Sequence, residues 1–149
     1  MTHPAILSTV EAFGETTHLV DPAQIVQLCG HLKDEVGFNR LSAVTAVDWH
    51  PAEPRFEVVY HLHSIASDGR TSKRLRLKCK LTEDQPQIDS ITGVWRGANW
   101  YEREVFDMFG IRFRNHPNLI RILMPLDWEG YPLRKDYPVH GYKYSYQKE

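Results

Sequence analysis

The sequence predicts an α+β fold: a small mixed or antiparallel sheet of three to four strands, covered by helices, with an extended and irregular C-terminal segment. Three observations carry this. Residues 73–81 alternate strictly, with Leu75, Leu77, Cys79 and Leu81 against Arg74, Arg76, Lys78 and Lys80, which is the pattern of a strand buried on one face only. Ile25, Cys29, Leu32 and Val36 recur at helical spacing behind Asp21-Pro22, a cap residue followed by a proline suited to a first turn. Beyond Ile111 neither period persists, and turn formers take over.

Taken in order, Ile6, Leu7, Val10 and Phe13 fit a short amphipathic helix, and residues 16–20 a short strand. The helix after Asp21 is widened by Leu28, stopped by Gly37, and expected to cover one face of the sheet. Residues 41–50 alternate between two sets that are both largely apolar, which predicts a central strand. Pro51 and Pro54 bracket a turn. Residues 55–63 then place Phe56, Val58, Tyr60 and Leu62 on one side of a second strand. Asp68-Gly69 signals a hairpin into the alternating strand, and 87–91 a further short strand. From Asn115 onward the chain holds Tyr137, Tyr142, Tyr144 and Tyr146 with little apolar support. Such a segment, about 115–149, either lies along the domain or wraps a partner. With no repeat and no linker, 1–149 reads as one domain.

The densest mixture of aromatics and charge runs from Asn99 to Gly110. Asn99 is a candidate N-cap with Glu102 as its capping-box partner, and Gly110 suits a left-handed stop. Winding the segment as a helix puts Tyr101, Val105, Phe106, Met108 and Phe109 on one face, and Arg103 with Asp107 on the far side. Glu102 then falls inside the apolar arc and Trp100 on the polar side. Glu102 either caps its own helix or is a buried carboxylate held by backbone donors or a cation, with Arg121 and Arg134 the candidates. Trp100 either packs on a loop of its own domain or meets another surface.

Composition narrows the chemistry. A net charge of −1, with 42% hydrophobic and 25% charged residues, fits a soluble globular domain and disfavours nucleic-acid or anionic-membrane binding. No apolar run is long enough to span a bilayer, and Met1-Thr2-His3-Pro4 does not open a secretory signal. Cys29 and Cys79 read as free buried thiols in a reducing compartment. Two cysteines do not supply a four-thiolate iron–sulfur site, and neither a Cys-x-x-Cys nor a glycine-rich nucleotide loop is present. His61 and His63 share one side of a strand but lack a third ligand at readable spacing, so no metal is expected. Glu102, Glu104 and Asp107 suggest an acid–base set, but on a helix they point three ways. The Arg74, Arg76, Lys78 and Lys80 stripe is a solvated face or one that meets an acidic partner.

Three motifs bear on identity: Ala98-Asn99-Trp100-Tyr101-Glu102-Arg103-Glu104-Val105-Phe106-Asp107-Met108-Phe109-Gly110-Ile111; then His116-Pro117 with Arg121-Ile122-Leu123; then Pro132-Leu133-Arg134-Lys135-Asp136-Tyr137-Pro138. Together they resemble the 30 kDa subunit family of NADH:quinone oxidoreductase, respiratory complex I, also known as its C subunit. The resemblance is continuous from about Trp95 to Pro138 and looser back to about Val20, and the combination of motifs is highly specific. It implies a structural and assembly subunit without a cofactor or catalytic centre of its own, in the hydrophilic arm of a proton-translocating enzyme. That enzyme passes electrons from NADH through FMN and iron–sulfur clusters, held by partner subunits, to quinone. The implied partner is the large quinone-site subunit. Membrane contact is indirect, on the cytoplasmic side of the bacterial inner membrane, and the chain is expected to be a separate polypeptide. Trp100, Glu102, Arg103, Glu104, Asp107, Gly110, His116, Arg121, Arg134, Lys135 and Asp136 match the family's signature and are assigned to assembly and docking. The same motifs serve the equivalent subunit of related membrane-bound hydrogenases and other energy-converting dehydrogenases. A stand-alone enzyme using Glu102, Glu104 and Asp107 is the alternative from a different class.

Overall fold

The computed structural model describes residues 3–67 and 72–141. Among these the elements run β1 (Ile6–Ala12), β2 (Glu15–Val20), a 3-10 turn (Pro22–Gln24), α1 (Ile25–Asp34), β3 (Arg40–Asp48), β4 (Phe56–Ile65), β5 (Ser72–Leu81), β6 (Gln87–Asp89), α2 (Ala98–Phe109) and β7 (Arg112–Arg114). The alternating segment becomes β5, the middle strand of a five-stranded mixed sheet ordered β1-β2-β5-β4-β3. It runs antiparallel to β4, with Leu75 opposite Leu62, Leu77 opposite Tyr60 and Cys79 opposite Val58. It runs parallel to β2, with His18 opposite Leu77. The inward set forms one core with Ile25, Leu28, Cys29 and Leu32 of α1 and with Val105, Met108 and Phe109 of α2. The α+β expectation therefore holds, with one strand more than three to four in the main sheet and a separate parallel pair, β6–β7.

Four local expectations are corrected. Residues 6–12 form an edge strand, not an amphipathic helix: Phe13 (φ 54) and Gly14 (φ 75) take the positive-φ pair that a two-residue hairpin loop needs, and this folds the segment back on β2. The strand at 41–50 is an edge strand, not a central one. Of its two apolar sets only Val44 and Ala46 are buried, in one core with Val105 and Met108 of α2, while Leu41, Ala43 and Val47 on the other face are only half-buried. Asn99 does not cap α2: the helix starts at Ala98, behind Gly97 and two residues earlier than an Asn99 cap implies, without a side-chain cap. Val36 lies beyond the end of α1 and is exposed, with Gly37 at φ 90 just after it.

Other expectations stand. Asp21 caps the turn into α1 through an N–H bond from Ala23 at 3.0 Å. Gly110 closes α2 at φ 74, and a Cβ there would lie 2.5 Å from the Tyr131 ring, so both conformation and space favour glycine. Cys29 and Cys79 are buried and free. The Asp68-Gly69 turn and Tyr142, Tyr144 and Tyr146 lie outside the described residues.

Candidate functional site

Helix α2 carries two carboxylates into the interior, and the chain has arranged a different environment for each. Glu102 is 0% exposed. Its oxygens accept from the Ser90 hydroxyl at 2.6 Å and the Ile91 N–H at 2.8 Å, both just beyond β6. Burial pushes its pKa up to about 7, against the pull of those two bonds. His116 Nε2 lies 3.9 Å from it, but donates instead to the Asn99 carbonyl at 3.1 Å, while Nδ1 accepts from the Asn118 N–H at 3.0 Å. That pattern specifies a neutral imidazole, and burial lowers the His116 pKa in the same sense. Glu102 is therefore held by a hydroxyl and a backbone donor, as one reading anticipated. It is not held by Arg121 or Arg134, nor by a capping box.

Asp107 is equally buried, which corrects its expected place on the polar side with Arg103. One oxygen accepts from the Arg121 guanidinium at 2.7 Å, and the other from three successive N–H groups, those of Ile122, Leu123 and Met124, at 3.0, 2.7 and 2.9 Å. Burial alone would raise its pKa, but the Met124, Arg121, Leu123 and Ile122 donors together hold it below the ordinary carboxylate value. Arg121 also donates to the carbonyls of Asp107, Trp128 and Gly130, and Arg103 reaches the carbonyls of Ile120 and Arg121. Asp107 and these two arginines fasten the irregular segment 120–130, which has no ladder of its own, to α2.

A third polar cluster lies where the later motif meets the sheet. Arg55, 1% exposed, forms a two-bonded pair with Asp48, with both contacts at 3.0 Å, and binds Glu83 at 2.5 Å and Asp136 at 2.6 Å. The bonds to Asp48 and then Asp136 stabilise the charged guanidinium, and Arg55 in turn keeps the Asp48 carboxyl ionised against its burial. The Lys135 N–H also donates to Asp48 at 2.8 Å, and Lys135 Nζ stands 6.0 Å from the Trp49 ring. Arg134 donates to the Phe109 carbonyl at 2.6 Å and lies over the Phe56 and Tyr131 rings. Arg134, Lys135 and Asp136 therefore bind the C-terminal segment to the far end of the sheet. Arg55 and Asp48 were not singled out from sequence. One signal was available: Asp48 has the same inward parity as Val44 and Ala46, and a carboxylate there needs a cation.

The remaining motif residues point outward. Trp100 is 68% exposed, which excludes the core reading, and Glu104 is exposed. Glu102, Glu104 and Asp107 do not converge, so the acid–base set has no shared site. His50, Glu83 and Asp136 offer ligand atoms within 4.8 Å of one another, but both carboxylates already neutralise Arg55. On the basic strand face Arg76 is paired with Glu15 and Lys78 with Glu57, while Arg74 and Lys80 are exposed. His63 is hydrogen-bonded to Ser42. No helix is long and apolar enough to cross a membrane among the described residues.

Comparison with known proteins places these clusters in a family. Residues 18–143 match the family described as the respiratory-chain NADH dehydrogenase, 30 kDa subunit. The C subunit of the NADH-quinone oxidoreductase of Citrifermentans bemidjiense is 50% identical over 137 residues, covering 92% of this chain and 83% of its own. The corresponding C subunit of Roseiflexus sp. is also 50% identical over 137 residues, covering 91% and 76%. Among solved structures, a trypsin-resistant fragment of Nqo5 superposes with a TM-score of 0.66 at 32% identity, over 73% of this chain and 86% of that one. A chain of the membrane-bound sulfane sulfur reductase, an archaeal respiratory membrane complex, does so with a TM-score of 0.68 at 25% identity, over 91% and 79%. On the extent of these matches, and with the motif residues in the roles just described, the chain belongs to the family of the 30 kDa subunit of the respiratory-chain NADH dehydrogenase.

Proposed function

We propose that this chain is the 30 kDa-type subunit of a proton-translocating NADH-quinone oxidoreductase. It serves as a cofactor-free assembly element of the hydrophilic arm, docked on the large quinone-site subunit and peripheral to the cytoplasmic face of the inner membrane. FMN and the iron–sulfur clusters belong to partner subunits. The observation that carries this reading is the division of labour within the motif residues. Glu102, Asp107, Arg121, Arg134 and Asp136 are all engaged within the chain, Glu102 joining α2 to the segment after β6 and the other four rigidifying the C-terminal segment. That segment and the neighbouring helix leave large apolar side chains outside: Trp100 at 68%, Leu123 at 61%, Leu126 at 77% and Val139 at 96% exposure. Exposed apolar groups on a pre-organised surface suit a permanent partner.

Affinity purification of the tagged chain from detergent-solubilised membranes tests the reading. It is expected to bring down an NADH-oxidising assembly that contains flavin and iron–sulfur clusters, while the chain purified alone shows no flavin or cluster absorbance and no stoichiometric metal. Stoichiometric iron or zinc in the folded chain alone overturns the cofactor-free assignment. The likeness to a chain of the sulfane sulfur reductase favours one second reading, the equivalent subunit of a related energy-converting complex. Co-purifying subunits without NADH oxidation would select it.

A further inference from the structure

Between α1, the start of β3 and the turn leading into α2 lies an open cavity of about 420 Å³, lined among others by Lys33, Asn39, Arg40, Trp95 and Arg96. It is far in sequence from the C-terminal clamps, and the proposed docking makes no use of it. Its lining holds three cations and no carboxylate. The three come from separate elements: Lys33 from α1, Arg40 from the first residue of β3, and Arg96 from the turn before α2. Among the described residues Arg40 and Arg96 have no ion pair. Lys33 binds only a neutral group, the Val94 carbonyl, at 2.6 Å. This differs from the basic strand face, where Arg76 and Lys78 are neutralised by Glu15 and Glu57. Gathering like charges around one concavity is unfavourable unless an anion completes it.

Two features shape the wall of the cavity. Trp95 lines the cavity at 7% exposure as a largely buried wall. The first turn of α2 opens there on Gly97 without a side-chain cap, and its Ala98 and Asn99 N–H groups donate to the Trp95 and Arg96 carbonyls at 3.0 and 3.2 Å. A Cβ at Gly93 or Gly97 would meet nothing within 4 Å, so the backbone is open to close approach.

We propose that this cavity is an oxyanion site that takes a phosphate monoester of small size. Arg40, Arg96 and Lys33 grip the phosphate. Three cations without an acid match a dianionic phosphate better than a carboxylate. The cavity falls in the range of small-ligand sites, roughly 300–1,000 Å³, which leaves room for the organic part of the ester.

The test is calorimetric titration of the full chain at low salt with glycerol 3-phosphate, inorganic phosphate and acetate, beside sedimentation with phosphatidylcholine vesicles containing phosphatidic acid. Glycerol 3-phosphate and inorganic phosphate are expected to bind and acetate at least tenfold more weakly. The double variant Arg40→Gln/Arg96→Gln should lose at least tenfold in phosphate affinity. Arg74→Gln/Lys80→Gln, the same charge loss on the strand face, should stay within about twofold. Both arginines are exposed, so the fold should survive. Equal losses in the two double variants, acetate binding as tight as phosphate, or no phosphate binding at millimolar concentration overturns the proposal. Capture by phosphatidic acid vesicles without binding of the soluble esters overturns it in favour of a lipid surface.

Discussion

Glu102 and Asp107 stand on the same helix, are both 0% exposed, and are driven in opposite directions. Glu102 receives one hydroxyl and one backbone N–H, and burial prevails, lifting its pKa to about 7. Asp107 receives a guanidinium and three N–H groups, and these prevail over burial. Burial alone therefore does not set the ionisation of an interior carboxylate; the number and charge of its donors decide it. The two also differ in what they hold. Asp107 orders a segment without regular structure, and its charge is needed for that. Glu102 joins two segments already ordered by β6 and α2, and works best protonated.

The largest effect is expected from Asp107→Ala. It leaves Arg121 without its carboxylate and three N–H groups without an acceptor, so the isolated chain should lose about 3–5 kcal/mol in chemical denaturation. A loss below about 1 kcal/mol would show that the segment is held by other contacts.

The pH dependence sharpens the same contrast. The folded pKa of Glu102 is raised above its ordinary 4.5, so its contribution is fully present below about 4.5 and is lost as pH rises through about 7. The full difference is roughly 3 kcal/mol at 1.36 kcal/mol per unit. Asp107 has the opposite sign: its contribution is present above 3.8 and is lost as pH falls toward its lowered folded value. Glu102→Gln should therefore flatten stability between pH 5 and 8 and leave the acid limb in place. A wild-type curve that does not fall over that interval would remove the case for a protonated Glu102.

Outside the helix core the effects shrink and change kind. Trp100→Ala should alter the isolated chain's stability by less than about 0.5 kcal/mol, since the side chain is 68% exposed. It should weaken assembly with the proposed partner, the large quinone-site subunit, by more than about 2 kcal/mol if Trp100 is an interface anchor. A thermal melt beside a pull-down separates the two. The smallest effect belongs to Arg74 and Lys80. Reversing both should cost under about 1 kcal/mol and leave assembly unchanged, and loss of assembly would make the basic stripe a docking surface.

Much of this was legible in one dimension. The alternation at 73–81 identified β5 and its buried face, the cap at Asp21 located the turn into α1, and Gly110 marked the stop of α2. Periodicity also picked out Glu102 as a carboxylate inside an apolar arc, and Trp100 as an aromatic on the wrong side. It misplaced residues 6–12 because apolar positions at 6, 7, 10 and 13 satisfy a helical count, while the Phe13-Gly14 turn that makes them a strand is decided by pairing with β2. It missed β7 because Arg112–Arg114 is three residues long, with only Phe113 buried.

Local properties were written in the linear chain: which segments are periodic, where they stop, and which residues break their own pattern. The family was written there too, since the order and spacing of a motif are linear properties. The partners of each charge came only with the folded arrangement. Asp107 looked like an exposed neighbour of Arg103 until the 120–124 segment folded over it, and Arg55 carried no mark of burial until Asp48, Glu83 and Asp136 gathered round it from three distant places. The environment of a charge depends on groups brought together across long sequence separations. Helical or strand phase reports only the direction in which a side chain leaves the backbone.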